Sequence, residues 1–440
     1  MKEWLQELQQ VKEQQSDFTL FPMKLGSVSV YVGGFRSLVD MPQTLFQLQE
    51  MASACPEGMA GLSLRLGGER IPTLPEAFLA LAKGKLLIVP EDGGEGMAVP
   101  PVSRKIYRGV EESANESVVL GPLDAFNESL DVNIGILRSR MNSRFLQHES
   151  FSVGSVQVHE ISLFYLEGRV HRSLLRKVRD QLTQIRDQEF GCLQEFFILM
   201  GGRSWSLIPT ALTTELPAQA VYYLKQGRVV LLLSGLPFAL VLPKLWTDSF
   251  FLATDREFPY LVLIFMRILR ILAFFLAIAL PGLYVALISV NPDLLRVQLA
   301  LSVAESRLGV PYPAMVEMLF VLLIVELILE ASLRLPKSIG PAITMVGGII
   351  VGQALVEARL VSNLLIIVVA ASTIANFVVI SVQTSFTLRL LKYFLLLFAG
   401  IYGIFGIFAG LFVLGFYMSQ VSFYGIPFVS LWKKEEASDG

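Results

Sequence analysis

Residues 271–290 read Ile271-Leu-Ala-Phe-Phe-Leu-Ala-Ile-Ala-Leu-Pro-Gly-Leu-Tyr-Val-Ala-Leu-Ile-Ser-Val290, without one charged side chain. At about 1.5 Å per residue, a helix of that length spans the hydrocarbon core of a bilayer, which is roughly 30 Å thick. Downstream, 338–356, 360–388 and 393–432 are also uncharged. The segment Ala314–Leu333 is apolar but carries Glu317, Glu326 and Glu330. These runs predict five transmembrane helices at about 265–290, 314–334, 340–357, 361–382 and 394–418. Together they form an all-α polytopic membrane domain over 260–432. Its aromatic end, Tyr424 to Trp432, is broken by Pro427 and reads as interfacial. A polar tail follows at 433–440.

Outward from this block, the charge density changes. Of the first 260 residues 54 are charged, against 15 of the next 171. The first part has the composition of a soluble protein and the second is too poor in charge to face water. A wholly soluble enzyme and a disordered chain are excluded. The net charge of −2 also excludes a strongly basic nucleic-acid binder. The opening, MKEWLQELQQVKEQQSD, contains no apolar run. No cleavable signal peptide is read there, and the soluble part is placed on the cytoplasmic side. In that reducing compartment Cys55 and Cys192 are expected to be free, buried thiols.

The soluble part contains a weak internal repeat. Val28-Ser-Val-Tyr-Val-Gly-Gly34 is similar to Ser162-Leu-Phe-Tyr-Leu-Glu-Gly168. An apolar helix closing on Gly84, before Lys85-Leu-Leu-Ile-Val89, matches one closing on Gly227, before Arg228-Val-Val-Leu-Leu232. The glycine pairs 34/168 and 84/227 suggest two small α/β subdomains with a nine-residue insertion in the second. Their boundaries are set at 1–100 and 151–255, with a connector at 101–150. The connector begins with Arg104, Lys105 and Arg108 and carries a helical pattern from Leu123 to Met141. Arg138, Arg140 and Arg144 at its end are read as a solvated helix terminus rather than a phosphate or partner contact.

Basic residues orient the membrane part. Arg267 and Arg270 precede the first uncharged run, Arg334 and Lys337 follow the second span, and Arg389 and Lys392 follow the fourth. All six are placed beside the soluble domain, as interfacial charges. Arg296, Arg307, Arg359, Lys433 and Lys434 are placed opposite. Between the first two spans, 294–308 reads as an amphipathic segment lying in the interface or projecting from it.

Charges inside a span are costly and mark function or pairing. Glu326, Glu330 and Arg334 recur every four residues and share one helix face, while Glu317 looks elsewhere. The face is either an acidic lining for a cation path or a Glu–Arg pair reaching the interface. The deeper Glu326 favours the path. In the third span Gly348, Val351, Gly352 and Gln353 suit either a narrow pore wall or close helix packing. Gly406 and Gly410 in the last span suit packing. No catalytic, cofactor-binding or metal site is read. His159-Glu160 lacks a second histidine, and Gly93-Gly-Glu-Gly96 lacks the Lys-Ser/Thr of a phosphate loop. The other readings weighed are a secondary transporter and a membrane scaffold. The first requires an internal repeat in the membrane half, and none is found.

Several stretches, taken in order, carry a resemblance. They are Glu128-Ser-Leu-Asp-Val-Asn-Ile-Gly-Ile-Leu-Arg138, Leu280-Pro-Gly-Leu-Tyr-Val-Ala-Leu287 and Arg307-Leu-Gly-Val-Pro-Tyr-Pro313 with Glu317. Leu333-Arg-Leu-Pro-Lys337 and Gly347-Gly-Ile-Ile-Val-Gly-Gln353 complete the series. The chain resembles the A subunit of GerA-type spore germination receptors, best over about 120–432. The resemblance implies a multi-pass protein of the spore inner membrane with a two-part α/β N-terminal domain. It implies a homo-oligomer, as a pentamer, forming a nutrient-gated channel that releases monovalent cations. The implied partners are a transporter-like B subunit, a lipoprotein C subunit and membrane lipid, with no nucleic acid and no cofactor. A related stage V sporulation membrane protein is the alternative. The turn Arg186-Asp-Gln-Glu-Phe-Gly191 departs from the acidic turn expected there.

Overall fold

The computed structural model describes residues 2–25, 28–53, 67–91, 96–101, 116, 120–209, 211–336, 339–379 and 382–430. The soluble half opens with α1 (Lys2–Gln14), β1 (Phe18–Leu25), β2 (Val28–Phe35), α2 (Met41–Ser53), β3 (Glu69–Ile71), α3 (Leu74–Ala82), β4 (Leu86–Pro90) and β5 (Gly96–Val99). After α4 (Leu130–Arg140) come β6 (Leu146–Val153), β7 (His159–Leu166), α5 (Arg172–Gln184), α6 (Leu193–Leu199), β8 (Leu212–Thr214), α7 (Pro217–Lys225), β9 (Val229–Leu233) and β10 (Ala239–Leu242). Two five-stranded antiparallel sheets result, ordered β1-β2-β4-β5-β3 and β6-β7-β9-β10-β8.

The second sheet shows why its central strand is apolar throughout. Every residue of β9 is buried. Alternate side chains leave opposite faces of a strand. Val229, Leu231 and Leu233 pack with Leu174 and Val178 of α5, whereas Val230 and Leu232 pack with Leu137 of α4 and Leu224 of α7. Helices cover both faces, so alternation with polar residues is lost. Gly84 and Gly227 end α3 and α7 at φ +80° and +88°. A Cβ at Gly227 would overlap the Arg169 carbonyl oxygen. The other glycine pair is not equivalent. Val30 lies opposite Pro90 and Ile161 opposite Leu233, so Gly34 corresponds to Tyr165 rather than Gly168.

Three expectations for this half are corrected. The connector helix covers Leu130–Arg140 only, and Arg138 is buried rather than solvated. Its guanidinium pairs with Asp17, and Arg140 pairs with Asp124. Cys192 is exposed beside α6, not buried. Cys55, Arg104, Lys105, Arg108 and Gly93 lie outside the described residues.

The helical half contains α8 (Tyr260–Val285), continued by a π-helical turn Ala286–Val290. It continues with α9 (Val297–Ser306), α10 (Ala314–Arg334), α11 (Gly340–Glu357), α12 (Asn363–Phe377) and α13 (Val382–Gln420). Among the described residues two segments, Tyr260–Val290 and Gln383–Gln420, are by length and composition long and apolar enough to cross a membrane. Ala342–Glu357 and Asn363–Phe377 are shorter apolar helices.

The expected last span, 394–418, is not one straight helix. Gly403 has φ +62° and ψ −139°, and the chain reverses there. A Cβ on Gly410 would stand 2.6 Å from Leu395 Cδ1 and 3.6 Å from Phe398 Cβ, so the two arms of α13 run antiparallel. Both open ends meet the soluble half. Thr387 Oγ1 donates to the Leu207 carbonyl at 2.8 Å, and Tyr417 Oη accepts from the Leu207 N–H at 3.0 Å. Phe423 joins the core beneath the second sheet, and the Trp246 N–H donates to the Phe428 carbonyl. The described C-terminal residues therefore return to the soluble half. Lys433 and Lys434 lie beyond the described residues.

Candidate functional site

An acid in an apolar helix is stable only when its charge is matched. Glu326 on α10 is matched twice. Its Oε2 lies 3.4 Å from Arg389 Nη1 and its Oε1 3.3 Å from Lys392 Nζ, both from the first arm of α13. The three side chains are largely buried. Glu330 behaves differently. It pairs with Arg334 at 2.9 Å, one turn on, and both are more than half exposed. The acidic face thus divides into an inner cross-helix triad and an outer surface pair. In the sequence Arg389 and Lys392 stood out as charges between apolar runs, but not as the partners of Glu326.

At the other end of the bundle Glu317 is fully buried. Its Oε1 accepts the Ser362 N–H at 2.6 Å, at the start of α12, and Arg307 approaches its Oε2 at 3.5 Å. Ser362 Oγ caps α12 through the Leu365 N–H and also meets Tyr284 Oη at 2.9 Å. This cluster joins α8, α10 and α12. Isolated acids in apolar sequence signal such pairing, but only the fold names the partners.

The glycines of α11 sit on a surface rather than in a groove of the protomer. Where a Cβ would stand on Gly347, Gly348 or Gly352, no described atom outside the helix's own backbone lies within 4 Å. Ile343, Met345, Val346, Ile349 and Ile350 are exposed around them, as is Gln353. Val351 is half-buried and packs with Leu355 into the core shared by α10 and α12. The six candidate residues are therefore not brought to one point. Glu326 faces α13, Glu330 faces outward, and Gly348, Gly352 and Gln353 lie on the open side of α11.

The cations at the start of α8 are anchors. Both terminal nitrogens of Arg270 engage Asp255, with Nη2 to Oδ1 at 2.9 Å, and Nη1 also donates to the Phe250 carbonyl. The Arg267 guanidinium lies 4.8 Å over the Phe251 ring. They tie the start of α8 to the short turns after β10. Lys337 lies outside the described residues.

A further buried polar centre joins the two sheets. Arg138 Nε donates to Asp17 Oδ2 at 2.6 Å, and Ser37 Oγ donates to the same oxygen at 2.7 Å. His148 bridges Asp17 Oδ1 at 3.2 Å and Ser162 Oγ at 3.0 Å. Burial pushes the Asp17 carboxyl up, but Arg138 and His148 outweigh it and hold it well below the usual carboxylate range. The centre is matched internally and structural in character. Among the described residues, no group of three or more His, Cys, Asp or Glu side chains is placed to hold a metal ion.

Comparison with known proteins then decides the family. The family described as "Bacillus/Clostridium GerA spore germination protein" matches residues 9–439. The chain belongs to this family. Among its relatives, Spore germination protein GerQA of Bacillus cereus is 28% identical over 415 residues, covering 92% of this chain and 82% of that protein. Spore germination protein B1 of Bacillus subtilis is 32% identical over 367 residues, covering 82% and 75%. Of solved structures, the N-terminal domain of the A subunit of the Bacillus megaterium spore germinant receptor GerK3 aligns over 55% of this chain and 94% of that one. The TM-score is 0.43 and the identity 17%. In this GerA-family chain, Tyr284 of the stretch 280–287 and Arg307 of the stretch 307–313 both join the Glu317 cluster, and the stretch 347–353 forms the open glycine face.

Proposed function

We propose that this chain is the A subunit of a nutrient germinant receptor in the spore inner membrane. It oligomerises into a gated channel that passes monovalent cations and so begins germination. It acts without catalysis, beside a transporter-like B subunit and a lipoprotein C subunit. The soluble half lies on the core side of the membrane, and the helical half crosses it several times. The observation that carries this reading is α11. An apolar helix with three glycines and open space before each is shaped for another helix, and small residues permit close backbone approach between copies. In an oligomer closed by a rotation axis the same face repeats around that axis. The Glu326–Arg389–Lys392 triad then holds α10 and the α13 hairpin fixed behind the moving face.

The test is flux. Purified full chain, reconstituted into vesicles, is expected to form oligomers that pass potassium or sodium, and Gly352→Leu is expected to change that flux. In developing spores the same variant alters cation retention. A monodisperse single chain without flux, with normal ion retention in Gly352→Leu spores, overturns the proposal.

A further inference from the structure

The loop after α6 is built like a bracket. The Gly202 N–H donates to the Phe197 carbonyl at 2.8 Å, and the Ser206 N–H closes a turn on the Arg203 carbonyl at 3.1 Å. Trp205 stands at the corner of that turn and is 94% exposed. Leu207 is then clamped between the two arms of α13 by its bonds to Thr387 and Tyr417. The exposed tryptophan is therefore held at the open end of the apolar hairpin, the end that carries Thr387 and Tyr417; in a chain embedded by that hairpin, such an end faces the headgroup layer. Tryptophan favours that layer because its ring is apolar and its N–H is a donor.

Arg203 lies between two clefts. One, of about 270 Å³, is lined by Phe197, Arg203, Leu207, Gln383, Phe386 and Thr387. The other, of about 230 Å³, is lined by Arg203 with Trp205, Tyr417 and Phe423. Arg203 is exposed and has no side-chain partner among the described residues. Gln383, which lines the first cleft, has a buried Oε1 with no hydrogen-bond donor among the described residues. A buried acceptor left unpaired is costly, so this oxygen awaits an incoming N–H or O–H.

We infer that the Arg203 cleft binds the headgroup of an anionic phospholipid, while Trp205 inserts beside it into the same layer. The guanidinium pairs with the phosphate, a geometry arginine favours. Gln383 Oε1 accepts from a hydroxyl of the headgroup, and Phe197, Leu207 and Phe386 meet the acyl ends. A hydroxyl donor with net negative charge selects a glycerol headgroup over a zwitterionic one. Bound lipid then couples the second sheet to the α13 hairpin. The inference rests on the reading that the helical half is embedded in a membrane.

The experiment uses the full chain in phosphatidylcholine vesicles carrying a small fraction of brominated phosphatidylglycerol or of brominated phosphatidylcholine. Four tryptophans are present, so the Trp205 signal is taken as the difference between the parent and Trp205→Phe. That signal is expected to be blue-shifted and quenched preferentially by brominated phosphatidylglycerol. Arg203→Gln should weaken the preference roughly fivefold, the effect of one basic residue at an anionic surface, and Gln383→Leu should lower it further. Equal quenching by both lipids overturns the site. So does a blue-shifted signal that neither lipid quenches, which would mark a protein contact. Loss of the preference on adding inorganic phosphate would mark a soluble anion site instead. Alkaline extraction of the vesicles is read separately, because a chain released by it defeats the membrane reading itself.

Discussion

The Asn291 side-chain oxygen accepts the Ile404 N–H at 3.0 Å, bridging 113 residues of sequence. Asn291 closes the first long apolar helix and Ile404 opens the second arm of α13, so one amide fixes the far end of the bundle. The turn it caps depends on Gly403. There φ is +62° and a Cβ would overlap Asn291 Oδ1. Gly403→Ala is expected to cost about 3 kcal/mol, combining backbone strain with the clash. Asn291→Ala leaves one N–H unpaired and is expected to cost about 1–3 kcal/mol. Thermal unfolding in detergent ranks the two, and an unaltered Gly403→Ala melting temperature would refute the reversal.

Removing the carboxylate of the inner triad leaves two cations facing each other in an apolar setting. Glu326→Gln is expected to destabilise by roughly 3 kcal/mol, whereas Glu330→Gln, on a surface pair, should change stability by less than about 1 kcal/mol. The difference between the two melting temperatures is the readout. Equal effects would mean that the cross-helix pairing does not form.

Asp17 supplies a pH test for the junction between the sheets. Its carboxyl is held below the ordinary range, so its ion pairs stabilise the fold above the unfolded-state value near pH 4 and lose that effect as pH falls further. Asp17→Asn should therefore be destabilising by about 3 kcal/mol at neutral pH. The gap between variant and parent should narrow below about pH 4. Unfolding midpoints across that range decide it, and a gap independent of pH would count against the charge as the cause.

Lys244 is buried at the join between the soluble half and α13, where its ammonium donates to Thr384 Oγ1 at 2.9 Å. Burial lowers its pKa to about 8, with Asp248 opposing that shift. A lysine whose folded value is lowered stabilises the fold only above its unfolded value, and this benefit fades as pH falls through the folded one. At pH 7 the buried charge is therefore a burden. Lys244→Met should raise stability there, by at most about 2 kcal/mol once the interactions lost with the ammonium, the bond to Thr384 among them, are counted. The gain should disappear near pH 10. A destabilised variant at pH 7 would show that the ammonium is better paired than its setting suggests.

Composition alone separated a charge-rich half from an apolar one, because a surface that faces water carries charges that long apolar helices leave out. The α/β class, the central strands 86–90 and 229–233, and the glycines at 84 and 227 were legible too. Each follows from local rules of period and φ. The ordered stretches from Glu128 to Gln353 were enough to place the chain in its family. Partners were not legible. Nothing local tells Glu326 that Arg389 and Lys392 are its counterions, or Asp17 that Arg138 lies across the sheet junction. A hydropathy run has no direction, so 393–432 read as one span with a tail. Only packing around Gly403 shows the chain turning back to the soluble half. The sequence by itself determined which residues avoid water and what elements they form. The tertiary structure decided where those elements reverse and which charges meet, because both depend on contacts between residues far apart in the chain.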